Sequence, residues 1–177
     1  MSTGGMKKRR ARTFRLESLE DRSLLNAALP ASPTAEVHAL KTTVVTQTVQ
    51  GTLKGTFSAS KHAASLMGSG PLSVLGETEI NGQYKSTVNL KTGKLTISGG
   101  TATLTFATGT LKVKYTGSGQ YANDELTFTL KGTVTGGTGA FKGATGTFTA
   151  SNGTAPELSS GKFSEFVTAT VKTKVKS

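Results

Sequence analysis

The 177-residue sequence contains no cysteine and no tryptophan, and its acidic residues are half as numerous as its basic ones. Without cysteine the chain has no disulfide framework and no thiolate metal site, so its stability must come from burial of apolar side chains. The sequence also has no apolar run near the roughly 20 residues that a membrane-spanning helix requires. A chain of this length is expected to form one domain with a substantial core, together with a tail.

Positive charge is what the sequence has in excess, and the charge divides into two regions of different composition. The formal net charge is +11. Every arginine lies at or before Arg22, with a basic cluster from Lys7 to Arg12, whereas all basic residues from Lys41 onward are lysine. Arginine recognises phosphate bidentately, while scattered lysine is typical of a solvated surface. We therefore divide the chain into a leader and linker, residues 1–40, and a domain, residues 41–177.

The segment at residues 14–25 resembles the LEPR-x-LL leader that opens many bacterial extracellular and surface proteins. Asp21 stands where that motif has proline. The matching residues follow the basic cluster at the expected spacing and are Leu19, Glu20, Arg22, Leu24 and Leu25. The resemblance implies export to the cell surface or the extracellular space. Two alternatives remain open: a short amphipathic helix or disordered tail, and a patch at residues 7–12 that binds nucleic acid or an acidic polymer.

From residue 41 onward, threonine and aliphatic side chains alternate along successive segments, which indicates strands with one buried face. Residues 43–57, for example, predict one long strand with Val45, Val49, Leu53 and Phe57 on the buried side. The alternating runs predict about eight strands joined by short turns. Closing such a sheet removes exposed edges, so the prediction is all-β: a single antiparallel up-and-down β-barrel. A flexible leader precedes it, in which a short helix is one alternative, and a single helical turn at residues 61–67 is another local alternative.

Two consecutive glycines, Gly99 and Gly100, separate the strand-like runs at residues 94–98 and 101–106. Gly-Gly between two such runs is typical of a two-residue hairpin turn, because glycine adopts the positive φ angles that this turn needs. The sequence therefore predicts a tight hairpin here.

A glycine-rich motif at residues 136–146 is the most distinctive feature of the domain. Its characteristic residues are Gly136, Gly137, Gly139, Phe141, Gly143 and Gly146. Glycine at this density indicates a backbone with positive φ or close approach, and Phe141 is the one large side chain available to plug the turn. A phosphate-binding loop is excluded, because a strand pattern follows where such a loop needs a helix. We expect the chain to reverse here at a barrel rim.

This motif belongs to a longer region, residues 101–119 and 126–150, that resembles a bacterial group related to the allene oxide cyclase and dirigent barrels. The resemblance implies a small, eight-stranded antiparallel barrel. It also implies an interior able to hold a hydrophobic small molecule and assembly as a homo-oligomer, as in the plant relatives of that group.

Candidate catalytic residues are few. His38 lies in the predicted linker, and His62 is expected in an exposed loop. Glu77 and Glu79 are two residues apart and share one face of a strand, which we expect to be the outer face, with an inward carboxylate pair as the alternative. Asp124 is the only aspartate after the leader, which excludes calcium-binding repeats. No catalytic residue, metal site or cofactor is predicted.

Three functions are compatible with these observations. The first, which we favour, is a non-enzymatic exported or cell-surface barrel that is structural, adhesive or binds a small hydrophobic ligand or a cell-envelope component. The second is a protein like allene oxide cyclase or dirigent proteins, guiding cyclisation or coupling of a small apolar substrate, which requires a polar side chain inside the barrel. The third is lysine-mediated binding of anionic polymers, although not of nucleic acid, because no aromatic residues alternate with the lysines to stack on bases.

Overall fold

The structure, a computed structural model, describes residues 42–60 and 63–176 of the chain. Eight strands follow one another: β1 (Thr42–Ala59), β2 (Ala64–Leu72), β3 (Gly76–Asn89), β4 (Lys94–Phe106), β5 (Gly109–Ala122), β6 (Glu125–Gly137), β7 (Thr145–Ala155) and β8 (Ser160–Lys176). Each strand pairs antiparallel with its neighbours in chain order, and β1 pairs with β8, so the sheet closes. The predicted up-and-down β-barrel of about eight strands is confirmed.

Several predictions concern residues that lie outside the described part of the chain. These are the leader motif from Leu19 to Leu25, the linker, and the histidines His38 and His62. The division of the chain near residue 40 stays a prediction. Of the residues that are described, none belongs to a helix with the length and apolar character needed to cross a membrane.

The strands alternate between a buried inner face and an exposed outer face, as the sequence pattern predicts. On β5, for example, Leu111, Val113 and Tyr115 are buried inside the barrel, whereas Lys112 and Lys114 are exposed. The core is this inner face, and it collects apolar side chains from all eight strands. The wall is therefore apolar within and covered by threonine and lysine outside.

Inward side chains also alternate in size from one strand to the next. One row around the barrel joins Gly100, Tyr115, Gly132, Phe148 and Ala169 as Cα partners on β4 to β8. A Cβ atom built on Gly100 would overlap the Tyr115 ring, and one on Gly132 would overlap the Phe148 ring. Each large ring thus lies across a glycine of the neighbouring strand, which is how small barrels fill their interiors.

The hairpin predicted at Gly99-Gly100 is wrong. Strand β4 continues through both glycines from Lys94 to Phe106. The glycines form a bulge instead, because the register against β5 shifts between Ile97 and Gly100, and Gly99 adopts a φ of 58°. A bulge and a tight turn both need a residue that tolerates positive φ. The glycine pair identified the backbone conformation correctly but could not distinguish between these two uses of it.

The glycine-rich motif connects β6 to β7 at one end of the barrel. Gly139 and Gly143 have φ angles of 58° and 71°, and residues Gly139–Phe141 form a single 3-10 turn. This turn directs Phe141 into the core, where it is 3% exposed and its ring centroid lies 5.2 Å from that of Phe106. The motif therefore forms a rim whose one large side chain packs against the inner wall.

Candidate functional site

Glu165 on β8 is buried inside the barrel with 4% of its surface exposed. The other acidic residues that the structure describes are all exposed. Along β8 the inward positions are Phe163, Glu165 and Val167, so Glu165 occupies a core position in the strict alternation of the strand. Glu165 was not among the candidate residues identified from the sequence, although period-two counting places it on the same face as Phe163 and Val167.

The two strands that flank Glu165 differ, because β1 is regular beside it and β7 is not. On one side its Cα partner is Leu53 of β1. On the other side β7 bulges, since its register against β8 shifts between Ser151 and Thr154, and Asn152 adopts a φ of 52°. Bulges commonly lie beside functional sites, where the local twist redirects a side chain. Glu165 thus projects into the interior beside an irregular stretch of the adjacent strand β7.

Burial changes the proton affinity of this carboxyl. Removal from water disfavours the charged form and raises the pKa of Glu165 to about 7. Near neutral pH the group therefore exists in both forms. The protonated form can donate one hydrogen bond, and the ionised form can accept hydrogen bonds or a proton.

Tyr115 brings another polar group, a phenol hydroxyl, into the interior. Its side chain is 5% exposed, and within the described residues its buried hydroxyl has no hydrogen-bond partner. Burial raises its pKa, and repulsion from the ionised forms of Tyr84 and Glu165 raises it further, so the phenol stays protonated. A buried hydroxyl without a partner typically costs about 1–3 kcal/mol. Tyr115 therefore offers a hydrogen bond that no described residue uses.

Two cavities of about 40 Å³ each lie on either side of this polar pair. Both cavities are lined by Leu66, Tyr115, Leu130 and Glu165. One extends toward the Phe106 end of the barrel and the other toward the Phe163 end. Because a buried water needs roughly 10–15 Å³ on this scale, each cavity has room for a short aliphatic group only. Ligand pockets of about 300–1,000 Å³ are much larger, so the interior is mostly packed.

The carboxylates predicted from sequence lie elsewhere. Glu77 and Glu79 are exposed on the outer face of β3, as expected, and Thr78 between them is the buried residue. The Thr78 hydroxyl donates a hydrogen bond of 3.1 Å to the Thr105 carbonyl of β4. Asp124 lies in the turn between β5 and β6. The inward carboxylate pair considered as an alternative is thus not formed, and a different glutamate takes the interior position.

The lysines of the domain spread over the outer wall. Lys114 on β5 pairs with Thr101 and Thr133, so threonines of the neighbouring strands flank it. Lys131 on β6 has Thr116 and Thr149 as its partners in the same way.

Residues 42–60 and 63–176 contain no cluster of three or more histidine, aspartate or glutamate side chains that could hold a metal ion.

Comparison with known proteins adds a likeness of fold. No protein-family model and no curated protein matches the chain. Among solved structures, the fold is similar to that of a pterocarpan synthase dirigent protein, at 13% identity and a TM-score of 0.44. The match covers 78% of this chain and 89% of that one. Function must therefore be argued from the barrel interior itself.

Proposed function

We propose that the protein binds a small, mostly apolar molecule inside the barrel, with Glu165 and Tyr115 as the polar contacts. The observation that carries this proposal is a carboxyl, 4% exposed, between two apolar cavities. Burial of a carboxyl among aliphatic side chains costs free energy, and a leucine at this core position would avoid that penalty. A purely structural role therefore does not account for glutamate at position 165.

The lining defines the chemistry of the ligand. Leu66 and Leu130 belong to both cavities, so a ligand that spans them must displace these side chains or the Tyr115 ring between them. The ligand is accordingly slender and aliphatic, with one oxygen or nitrogen group placed near Glu165. Its polar group pairs with the carboxyl and the Tyr115 hydroxyl, which satisfies a donor that is otherwise buried without a partner.

Thermal unfolding of the full chain in the presence of linear 1-alkanols and 1-alkylamines of increasing length tests the proposal. A ligand at 100 times its Kd stabilises the folded state by about 2.7 kcal/mol, which raises Tm measurably. We expect Tm to rise with chain length until the two cavities are filled and then to fall. The Glu165→Leu variant should lose the stabilisation by the polar group, whereas the outer-face variant Glu79→Gln should retain it. A series with no effect on Tm, or an equal effect in Glu165→Leu, would contradict the proposal.

A second candidate function is guidance of a cyclisation or coupling reaction, as in the allene oxide cyclase and dirigent barrels that the sequence resembles. The observation that favours it is the enclosed pair Glu165 and Tyr115, because that function requires a polar group facing inward. A carboxyl with a pKa of about 7 can transfer a proton near neutral pH. A small apolar substrate that cyclises spontaneously to a racemate provides the test. Chiral chromatography should show an enantiomeric excess with the wild-type chain and a racemate with Glu165→Gln.

We also propose that the barrel is exported, to the cell surface or beyond. The support is the leader motif, in which Leu19, Glu20, Arg22, Leu24 and Leu25 match the pattern of surface proteins. Fractionation of producing cells should find the wild-type chain outside the cytoplasm and the variant with Leu24→Asp and Leu25→Asp inside. Equal distribution of the two chains would remove the support that the motif provides.

A further inference from the structure

Strand β1 extends well beyond its neighbour β2. It pairs with β8 from Thr42 onward, whereas its pairing with β2 begins only at Gly51, opposite Leu72. We call residues 42–49 the β1 edge. Within the described residues, the β1 edge has a strand partner on the β8 side only.

The orientation of the main chain along the β1 edge follows from Gln50. Its N–H donates to the Ser73 hydroxyl at 2.8 Å, and its carbonyl accepts from the Ser73 N–H at 2.7 Å. The main-chain groups of Gln50 therefore face away from β8. Because these groups alternate in direction along a strand, those of Thr48, Thr46 and Val44 face the same way. Three residues thus direct both an N–H and a C=O out of the sheet.

The side chains of the β1 edge do not prevent strand pairing. Its sequence, TTVVTQTV, has no charge, proline or glycine, and every residue except Gln47 is β-branched. Val44 and Val45 are 57% and 36% exposed. Natural sheets protect their open edges with lysine, proline or bulges, and an edge without these devices is a template for another strand. The neighbouring strand β8, by contrast, carries Lys172 and Lys174 beside Thr46 and Val44.

We propose that two copies of this protein associate through their β1 edges, pairing antiparallel about a two-fold axis at Thr46. In this register Thr46 faces Thr46 of the second copy, and Val44 faces Thr48. Each of these pairs exchanges two N–H to O=C hydrogen bonds, because the main-chain groups of all three residues face the partner. The same surface serves both copies, as two-fold symmetry requires, and the two barrels share one continuous sheet.

Charge favours a second copy over an acidic strand from another protein. The β1 edge is uncharged, so self-pairing brings no like charges into direct opposition, and nothing in it selects for acidic side chains. Of the lysines that the structure describes, Lys172 on β8 lies nearest the axis and would be three strand spacings from its symmetry mate, about 14 Å. Charges at that separation are largely screened at physiological salt, where the Debye length is about 8 Å. The proposal is independent of what the barrel interior binds.

Sedimentation equilibrium of the full chain over a range of micromolar concentrations tests the association. The wild-type chain should show twice the mass of a single chain at the upper concentrations. Thr46→Lys places two positive charges directly opposite each other at the two-fold axis and should weaken dimerisation at least about tenfold. The control is Thr147→Lys, the same change at an exposed position of β7 that is paired on both sides, and it should dimerise like the wild type.

A second variant removes a hydrogen bond rather than adding charge. Thr46→Pro deletes an N–H that faces the second copy while leaving the ladder to β8 intact, so it should also be monomeric with an unchanged circular dichroism spectrum. Hydrogen exchange at Val44, Thr46 and Thr48 should slow as the wild-type concentration rises. A monomer at every concentration, or a dimer that persists in Thr46→Lys and Thr46→Pro, would overturn the proposal. Protection of these amides by an acidic peptide on a chain that stays monomeric would overturn it equally.

Discussion

The inner and outer faces of the barrel wall come from the same strands, yet they tolerate change very differently. On the outer face, Lys131 and Thr147 are exposed to water. Another side chain of similar polarity can replace either residue, because water surrounds it equally well. Inside, Tyr115 and Phe148 each lie across a glycine of the adjacent strand, so the volume of one residue depends on the absence of a side chain at another. Packing across the interior therefore couples residues that are far apart in sequence.

The two faces also treat carboxylates differently. Glu79 on the outer face remains hydrated. Glu165, on the inner face, has lost its contact with solvent, and burial raises its pKa to about 7. Glutamate therefore contributes to solubility on the outer face and can exchange a proton on the inner face. The reason is that solvation, rather than residue type, determines which form of the carboxyl is stable.

The largest expected difference between the faces is in the free energy of unfolding after truncation. Phe141→Ala removes a ring that is 3% exposed and packed on Phe106, and it should cost about 3–5 kcal/mol. Thr147→Ala on the outer face should change the free energy of unfolding by less than about 0.5 kcal/mol. Urea denaturation of both variants measures these values. Similar losses for the two would refute the contrast between the faces.

The next effect concerns pH and depends on Glu165. Below its ordinary pKa of 4.5 the carboxyl is protonated in both folded and unfolded chains, so its contribution to stability is fully present. As the pH rises toward about 7, the unfolded chain releases this proton while the folded chain retains it. The free energy of unfolding should therefore fall by up to about 3 kcal/mol across this range.

Substitution separates this contribution from those of the other ionisable groups. Glu165→Gln should remove the decrease between pH 4.5 and about 7, whereas Glu79→Gln should leave it in place. Denaturant titrations at half-unit pH intervals provide the measurement. An unchanged pH profile in Glu165→Gln would show that the buried carboxyl does not carry this dependence.

A smaller effect distinguishes the two glycines of the β4 bulge. Gly100→Ala should cost about 1–3 kcal/mol, because the new methyl group overlaps the Tyr115 ring, and a second change, Tyr115→Leu, should recover part of the loss. Gly99→Ala has open space around the new methyl group but a φ of 58°, so it should cost about 1 kcal/mol through backbone strain. Tyr115→Leu should not rescue that loss. A double-mutant cycle for each glycine checks both statements, and equal coupling in the two cycles would contradict them.

The smallest effect belongs to the outer lysines. Lys131→Gln should change the free energy of unfolding by less than about 0.5 kcal/mol, because its neighbours across the sheet are threonines rather than charged partners. Denaturation at low and high salt should give the same small difference. A loss above about 1 kcal/mol would show that the outer wall contributes specific interactions.

Residue patterns allowed much of the fold to be predicted, but little of the candidate site. Alternation within residues 43–57 is a local property of an extended chain, so it predicted a strand there and the buried positions of Val49, Leu53 and Phe57. The bulge at Gly99-Gly100 was mistaken for a turn, because both conformations favour glycine and the difference depends on which strand lies opposite. Glu165 was overlooked because a single charged residue within an apolar alternation is usually exposed.

The sequence alone determined that this protein is a set of amphipathic strands that bury one face by closing on themselves, since period-two patterning acts within each strand. Tertiary structure decided what the closed interior contains. Only the pairing of neighbouring strands places Tyr115 over Gly100, leaves about 40 Å³ on each side of Glu165, and removes that carboxyl from water. These features depend on side chains brought together from different strands, and no local pattern encodes the volume that remains between them.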